Sequence, residues 1–294
     1  MIKNPANSGQ ALLLIVFTMA TVLTITMSVV SRSISDVSVS TREEESLRAF
    51  SAAEAGVEDV LVSNLGVGQT LDEVVEVVDG EPNVTYSASV SGFPQSSNKY
   101  NYPVELAAGE SATIWFKSHD EDGNLTCPCF TGSRVDVCFG KRDGSHITPA
   151  IEATLLYQNT SGGYETSRVV LDPNASRTPG SIDASGSCNI NDGNEVRYRF
   201  SEELSFTSGS EFGLSSAERD NMIMMKLRFL YNTDTTQILG VDLSGGDIPS
   251  QGKKIESVGE SGDSVRKVEV YELYPSLPSI FDTAIFSRSG GLTK

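Results

Sequence analysis

The sequence has its strongest hydrophobic pattern near the N-terminus, in an uncharged stretch over residues 11–30. Eleven of these twenty residues are Leu, Ile, Val or Phe. An α-helix rises about 1.5 Å per residue, so twenty residues cover about 30 Å, the thickness of the hydrocarbon core of a bilayer. The pattern therefore predicts a membrane-spanning helix over residues 10–31.

A cleaved secretory signal is the first alternative for this stretch. Such a signal has an apolar region of about 7–15 residues, followed by an Ala-x-Ala-like cleavage site. The stretch is longer than that, and no such site precedes Arg32. Lys3 lies before the stretch and the chain after Arg32 is acidic, which predicts an N-terminus inside the cell and residues 32–294 outside.

Beyond Arg32 the pattern becomes that of an amphipathic helix, which continues the first helix over residues 32–68. Apolar residues recur at intervals of three and four, with charged residues between them. The predicted packing stripe contains Ile34, Val37, Leu47, Phe50, Ala53, Val57, Val60, Leu61 and Leu65. Gly66 and Gly68 are predicted to end the helix, because glycine accepts the left-handed conformation after a last turn. A helix of about 84 Å exceeds what a globular core needs, so we expect the stripe to pack against other proteins.

After Gln69 the pattern changes to short apolar or alternating runs separated by Gly, Asn, Asp and Ser. The predicted strands cover residues 73–78, 84–90, 112–117, 134–139, 150–157, 165–171, 196–206, 222–230, 237–243 and 265–273. Because no helices alternate with these runs, the sheet is predicted to be mostly antiparallel. The predicted fold class is α+β, with a long membrane-spanning and amphipathic helix followed by a sandwich-like β head. A polar tract over residues 172–193 separates a lobe over 69–190 from a second lobe, or the remainder of the same domain, over 191–294.

Composition limits the classes of partner. The net charge of −17 and the pI near 4.5 argue against nucleic acid, because phosphate binding needs clustered Lys and Arg. The acidity is typical of a soluble extracellular head. No cofactor-binding motif is found, so none is predicted.

Four cysteines, Cys127, Cys129, Cys138 and Cys188, lie on the predicted outer side of the membrane. An even number there is consistent with two disulfides, for which three connectivities exist. A tight turn at residues 132–133 would place Cys127 opposite Cys138 and leave Cys129 for Cys188. A zinc site is the alternative, although the spacing lacks the paired two-residue gaps of structural zinc sites.

The sequence offers few groups for catalysis. His119 and His146 are the only histidines, and there is no Gly-x-Ser-x-Gly nucleophile motif. His119 stands beside Asp120 on a predicted polar turn, where we expect it to be exposed. The sequence therefore predicts no enzyme and no catalytic residues.

One acidic turn has part of a calcium-loop pattern. Asp120, Asp122 and Asn124 occupy the first three ligand positions of such a loop. Leu125 replaces the glycine that the loop needs, and Thr131 replaces the closing glutamate. A solvated turn is therefore the main interpretation, with calcium as the alternative and no metal predicted.

Three segments carry a resemblance to a known family. Residues 10–14, Gln-Ala-Leu-Leu-Leu, with Gly9 and a short Lys-containing leader before them, resemble the N-terminus of type IV pilin-like proteins. Residues 49–58, Ala-Phe-Ser-Ala-Ala-Glu-Ala-Gly-Val-Glu, are similar to the signature of PilX-type minor pilins. Residues 255–259 and 265–270 are similar to the terminal hairpin of these proteins. The rest of the head has no specific motif.

The resemblance implies a leader over residues 1–9, with cleavage between Gly9 and Gln10. It also implies a structural subunit that packs its helix, including Glu54, into a pilus or pseudopilus beside other pilin-like subunits. Major pilins have a glutamate where this chain has Leu14, and a subunit without that acid resembles the minor pilins that begin a filament. The implied location is the bacterial cytoplasmic membrane before assembly and the cell surface afterwards. Tip initiation and adhesion to an unknown surface ligand are the candidate roles of the head.

A permanently anchored ectodomain is the alternative from a different class. It would bind an extracellular ligand and would never polymerise. Such a protein would have the same apolar stretch and the same inside-to-outside charge bias. The Ala-Ala-Glu-Ala segment at residues 52–55 and the long helix favour the pilin-like subunit.

Overall fold

The computed structural model describes residues 8–76, 83–95, 97–120, 122–142, 145–174, 176–186, 188, 190 and 198–276. Two helices are found in these residues, α1 (Ser8–Ser63) and α2 (Ser216–Arg219). The strands are β1 (Thr70–Glu76), β2 (Val84–Phe93), β3 (Lys99–Asn101), β4 (Ser111–Trp115), β5 (Lys117–His119), β6 (Leu125–Cys129), β7 (Arg134–Lys141), β8 (Ala150–Gln158), β9 (Tyr164–Leu171), β10 (Tyr198–Ser205), β11 (Met222–Leu230), β12 (Leu239–Ser244), β13 (Gly252–Ser261) and β14 (Ser264–Leu273). The predicted α+β class, with one long apolar helix and a mostly antiparallel β head, is confirmed.

The chain forms two compact units that are discontinuous in sequence. The first contains α1, residues 70–89 and residues 256–269, and the second contains most of the remaining chain. The polar tract over residues 172–193 lies inside the second unit, and the first unit combines N-terminal residues with residues 256–269. The reason is that β13 and β14 return from near the C-terminal end to complete the sheet beside β2.

In the first unit, α1 is a single helix of 56 residues. It ends at Ser63, before the two glycines that were predicted to end it. Asn64 takes the left-handed conformation (φ 46°) that follows a last turn, and Leu65 donates its N–H to the Val60 carbonyl at 3.2 Å. Asparagine tolerates this conformation because its short polar side chain bonds locally, and for that reason it can replace glycine here.

The sheet that contributes to the first unit has the strand order β1-β2-β13-β14. β1 and β2 pair antiparallel, with Thr70 opposite Ser89. Along β2 the buried residues Val84, Tyr86 and Ala88 alternate with more exposed ones, as expected for a strand with one covered face. β13 and β14 are joined by only two residues, in a turn where Gly262 has φ 55°.

The second unit is built on two four-stranded sheets, with strand orders β10-β7-β12-β3 and β4-β11-β8-β9. Side chains from both sheets enter one hydrophobic core, for example Val137 and Val241 from the first and Ile114, Leu155 and Leu227 from the second. This is the arrangement of a β-sandwich. β5 and β6 form a separate two-stranded hairpin.

Four strands were missing from the predicted set. β3 and β5 have only three residues each, too few for a visible alternation. β6 contains Pro128 and is exposed along most of its length, so it has no apolar periodicity. β13 was included only in the terminal hairpin implied by the resemblance. The predicted strand over residues 196–206 begins in the structure at Tyr198, and residues 191–197 lie outside the described part of the chain.

Candidate assembly surface on the long helix

The N-terminal part of α1 exposes its apolar side chains. We call residues 12–30 the apolar half. All eleven of its Leu, Ile, Val and Phe side chains are at least 56% exposed, and Leu14 is among them at 65%. By length and apolar composition, one helix of the described residues qualifies as a membrane span, a test that signal sequences also pass. An exposed apolar surface of this size needs lipid or protein around it.

The four threonine hydroxyl groups of the apolar half are satisfied within the helix. Thr18 donates to the carbonyl of Ile15 at 2.9 Å, and Thr24 donates to that of Thr21 at 2.8 Å. Thr21 and Thr26 make equivalent bonds. These bonds remove the cost of placing a hydroxyl in an apolar environment, so the threonines do not oppose insertion.

The C-terminal part of α1 packs one face against the sheet of its own unit. We call this the docked face, and its buried residues are Ala49, Ala52, Ala53, Gly56, Val57 and Val60. Their small size brings the helix backbone close to β13. A Cβ atom added at Gly259 would lie 2.0 Å from the Ala49 carbonyl oxygen, and one at Gly56 would lie 2.4 Å from Ser257 Oγ. Glycine is therefore required at both positions.

Polar bonds at the docked face supplement the close packing. The Tyr86 hydroxyl lies within hydrogen-bond distance of a carboxylate oxygen of Asp59 and, at 3.0 Å, of Glu73. Burial raises the pKa of Tyr86, and the bonds to the two carboxylates raise it further, so the ring remains a neutral donor. Arg266 donates from Nε and a terminal nitrogen to Ser46 Oγ, at 2.9 and 2.7 Å. These contacts connect the helix to β2 and β14, and β2 to β1.

The opposite side of the same segment is apolar and open. Leu47 is 68% exposed, Phe50 44% and Leu61 46%, and Glu54 is also exposed. Spacings of three, four and seven residues place these four side chains on one side of a helix. We call them the outer face.

The predicted packing stripe is therefore divided between two faces. Ala53 and Val57 are buried against the chain's own sheet, where a neighbouring subunit cannot reach them. Leu47, Phe50, Glu54 and Leu61 are accessible to a partner. The two faces form one stripe in the sequence, because apolar residues surround much of the helix after Leu47. The signal that separates them is the run of small residues at Ala49, Ala52, Ala53 and Gly56, which marks a close helix contact.

The predicted cleavage site between Gly9 and Gln10 falls in the first turn of α1. Residues 1–7 of the predicted leader lie outside the described residues. The site therefore stays a prediction.

The cysteines pair differently from the predicted connectivity. The disulfides are Cys127–Cys129 and Cys138–Cys188, and all four cysteines are used. The prediction placed β6 opposite β7, but β6 pairs with β5, while β7 lies between β10 and β12. Cys127 therefore does not face Cys138, and Cys138 is instead buried with Ile190 and Tyr198.

The acidic turn at residues 120–124 uses its carboxylate internally. Asp120 accepts hydrogen bonds from the backbone N–H groups of Asn124 at 2.7 Å and Asp122 at 3.1 Å. These bonds, those from Asn124 first, lower the pKa of Asp120. No group of three or more His, Cys, Asp or Glu side chains suited to a metal is found in the part of the chain that the structure describes.

His119 was predicted to be exposed, but in the structure it is half-buried. Its ring stacks on Tyr274 with 4.1 Å between centroids, and its edge contacts Trp115 at 4.6 Å. Burial lowers the pKa of His119, although Asp120 opposes this effect. His146 lies 3.8 Å from Asp234. Each histidine thus has a local side-chain partner.

The described residues thus assign α1 three surfaces: the apolar half, the docked face and the outer face. The apolar half and three of the four outer-face side chains are exposed and apolar, and the docked face holds the helix to the sheet of the first unit. No protein-family model, curated protein or solved structure matches this chain. The arrangement of these surfaces is therefore the main guide to function.

Proposed function

We propose that this chain is a structural subunit of a type IV pilin-like filament, in which α1 packs among the helices of other subunits and the β head remains outside. The observation that carries the proposal is the division of α1. One face docks on the chain's own sheet, while the apolar half and the outer face stay open to partners. A buried helix of a globular domain would not leave so much apolar surface uncovered.

A second observation supports the proposal. The two segments that resemble PilX-type minor pilins, residues 49–58 and 255–259, are about 200 residues apart in sequence. They meet at the docked face, where Gly259 contacts Ala49 and Ala53, and Gly56 contacts Ser257. The resemblance therefore coincides with one structural contact that attaches the helix to the head.

The residue Leu14 favours a minor or initiating subunit. A carboxylate in a bilayer is costly and requires a partner, whereas leucine requires none. A subunit with Leu14 can be stored in the membrane without a neighbour. It offers no acid to the amine of a preceding subunit, as expected at the start of a filament. Membrane storage with the N-terminus inside, and surface exposure of the head after assembly, belong to the same proposal.

The outer face provides the first test. We expect Leu47→Asp together with Phe50→Asp to reduce incorporation into sheared filaments by roughly tenfold or more, because two carboxylates would be buried without partners. The measurement is the ratio of the protein in the sheared fraction to that in the membrane fraction. Both side chains are exposed in the single chain, so the head should keep its folding and its membrane-held level.

Ser51→Asp is the control for an added carboxylate, since Ser51 is exposed on the same segment of α1; it adds one negative charge where the double variant adds two. It should incorporate to a greater extent than the double variant. Equal incorporation of the double variant and the unaltered protein would refute the proposal. Absence of both proteins from the sheared fraction would favour the second candidate, a permanently anchored ectodomain held in the membrane by the exposed apolar half.

A further inference from the structure

The hairpin of β5 and β6 carries a disulfide between residues separated only by Pro128. In the register of the hairpin, Lys117 lies opposite Cys129 and Ser118 lies opposite Thr126. Cys127 and Pro128 therefore have no ladder partners and form a bulge. The disulfide closes this bulge and does not connect distant parts of the fold.

The two disulfides differ in accessibility. Cys127 is exposed and Cys129 is half-buried, whereas Cys138 is fully buried and Cys188 is half-buried. Exchange requires a thiolate to reach one of the sulfur atoms, so access controls the rate. Of the four cysteines, Cys127 is therefore the one whose sulfur is most accessible to an attacking thiolate.

The hairpin has bonds that do not depend on the Cys127–Cys129 disulfide. Ser118 Oγ donates to the Pro128 carbonyl at 2.7 Å, and the Phe130 N–H donates to the Phe116 carbonyl at 2.8 Å. At the turn, the Asp120 N–H donates to the Asn124 carbonyl at 3.0 Å. A disulfide that closes so short a loop also constrains the unfolded chain very little. Opening it should therefore leave the hairpin in place and cost little stability.

We propose that Cys127–Cys129 is a thiol–disulfide exchange site that oxidises an external dithiol. A thiolate of the dithiol attacks Cys127 Sγ, the S–S bond breaks, and Cys129 leaves as a thiolate. The second thiolate of the dithiol then attacks the other sulfur of the dithiol, which is bound to Cys127 in the mixed disulfide. The bond to Cys127 breaks, and Cys127 leaves as a thiolate. The dithiol becomes a disulfide, and the two protons it loses balance those taken up by Cys127 and Cys129. Lys117, opposite Cys129, favours the departing thiolate by its positive charge.

The test equilibrates the full-length protein in detergent with graded ratios of reduced to oxidised dithiothreitol. Free thiols are then alkylated, and mass spectrometry of peptides measures the oxidised fraction of each pair. The Cys138–Cys188 pair is an internal control in the same molecule. We expect Cys127–Cys129 to be reduced at a dithiol ratio roughly 100-fold lower, which corresponds to about 60 mV for a two-electron couple.

A second measurement separates local exchange from unfolding. At the ratio that reduces only Cys127–Cys129, the thermal transition of the protein should remain within a few degrees of that of the oxidised protein. The variant with Cys127→Ala and Cys129→Ala should leave the midpoint for Cys138–Cys188 unchanged. Reduction of both pairs at the same ratio, or of Cys138–Cys188 first, would overturn the proposal, and so would loss of folding on reduction of the first pair. Failure of the filament test would not affect this result, because α1 takes no part in it.

Discussion

Replacement of Gly259 by alanine is expected to detach α1 from the sheet of the first unit. The new Cβ would lie 2.0 Å from the Ala49 carbonyl oxygen and 2.6 Å from the Ala53 nitrogen. Both are helix backbone atoms, which cannot rotate away as a side chain could, so the helix or β13 must move. Such overpacking costs about 3 kcal/mol of stability.

Urea denaturation of the full-length protein in detergent should show this loss, and amide hydrogen exchange should locate it. We expect the faster exchange in residues 44–63 and in β13. Gly66→Ala is the matched control, because a Cβ there meets nothing closer than Gln69 at 3.7 Å. Similar exchange and stability for the two variants would show that the close helix contact is not required.

Loss of the Cys138–Cys188 disulfide is expected to have the second large effect. The bond closes a loop across a sequence separation of 50 and attaches Cys188 to β7. By the loop-closure relation, its removal costs about 4 kcal/mol. Alanine at both positions is the suitable change, because Cys138 is buried beside Ile190 and Tyr198 and a serine hydroxyl there would need a partner.

The control for this change is the pair Cys127→Ala and Cys129→Ala, whose loop is so short that the same relation gives about 1.5 kcal/mol. Urea denaturation followed by tyrosine fluorescence should rank the two double variants in that order. Equal losses would contradict the assignment of Cys138–Cys188 as the disulfide that stabilises the second unit.

Patterns that repeat within one element predicted the fold well. β11 was predicted over its full length, 222–230, because seven of its nine residues are apolar and the run is visible in the sequence by itself. The long helix was also predicted, because the uncharged run over residues 11–30 is visible in the sequence without knowledge of any tertiary contact. Short polar strands such as β5 and β6 depend on pairing with each other, which no local pattern reports.

The candidate surface was predicted only in part, for a related reason. Leu47, Phe50 and Ala53 fit one apolar stripe on sequence alone. Which of them is covered depends on β13, whose Gly259 is about 200 residues away in sequence. Gly259 packs against Ala49 and Ala53, whereas Leu47 and Phe50 remain exposed. The disulfide pairing failed in the same way, because it depended on which strand lies beside β6. Long-range contacts, and not local propensity, decided these points.

Mass spectrometry of the N-terminus of protein sheared from cells tests the central claim most directly. The proposed filament subunit should be present in the sheared fraction, with a first peptide that begins at Gln10. A protein confined to the membrane fraction and beginning at Met1 would contradict the claim, as would a chain that begins near Arg32 after removal of the whole apolar half.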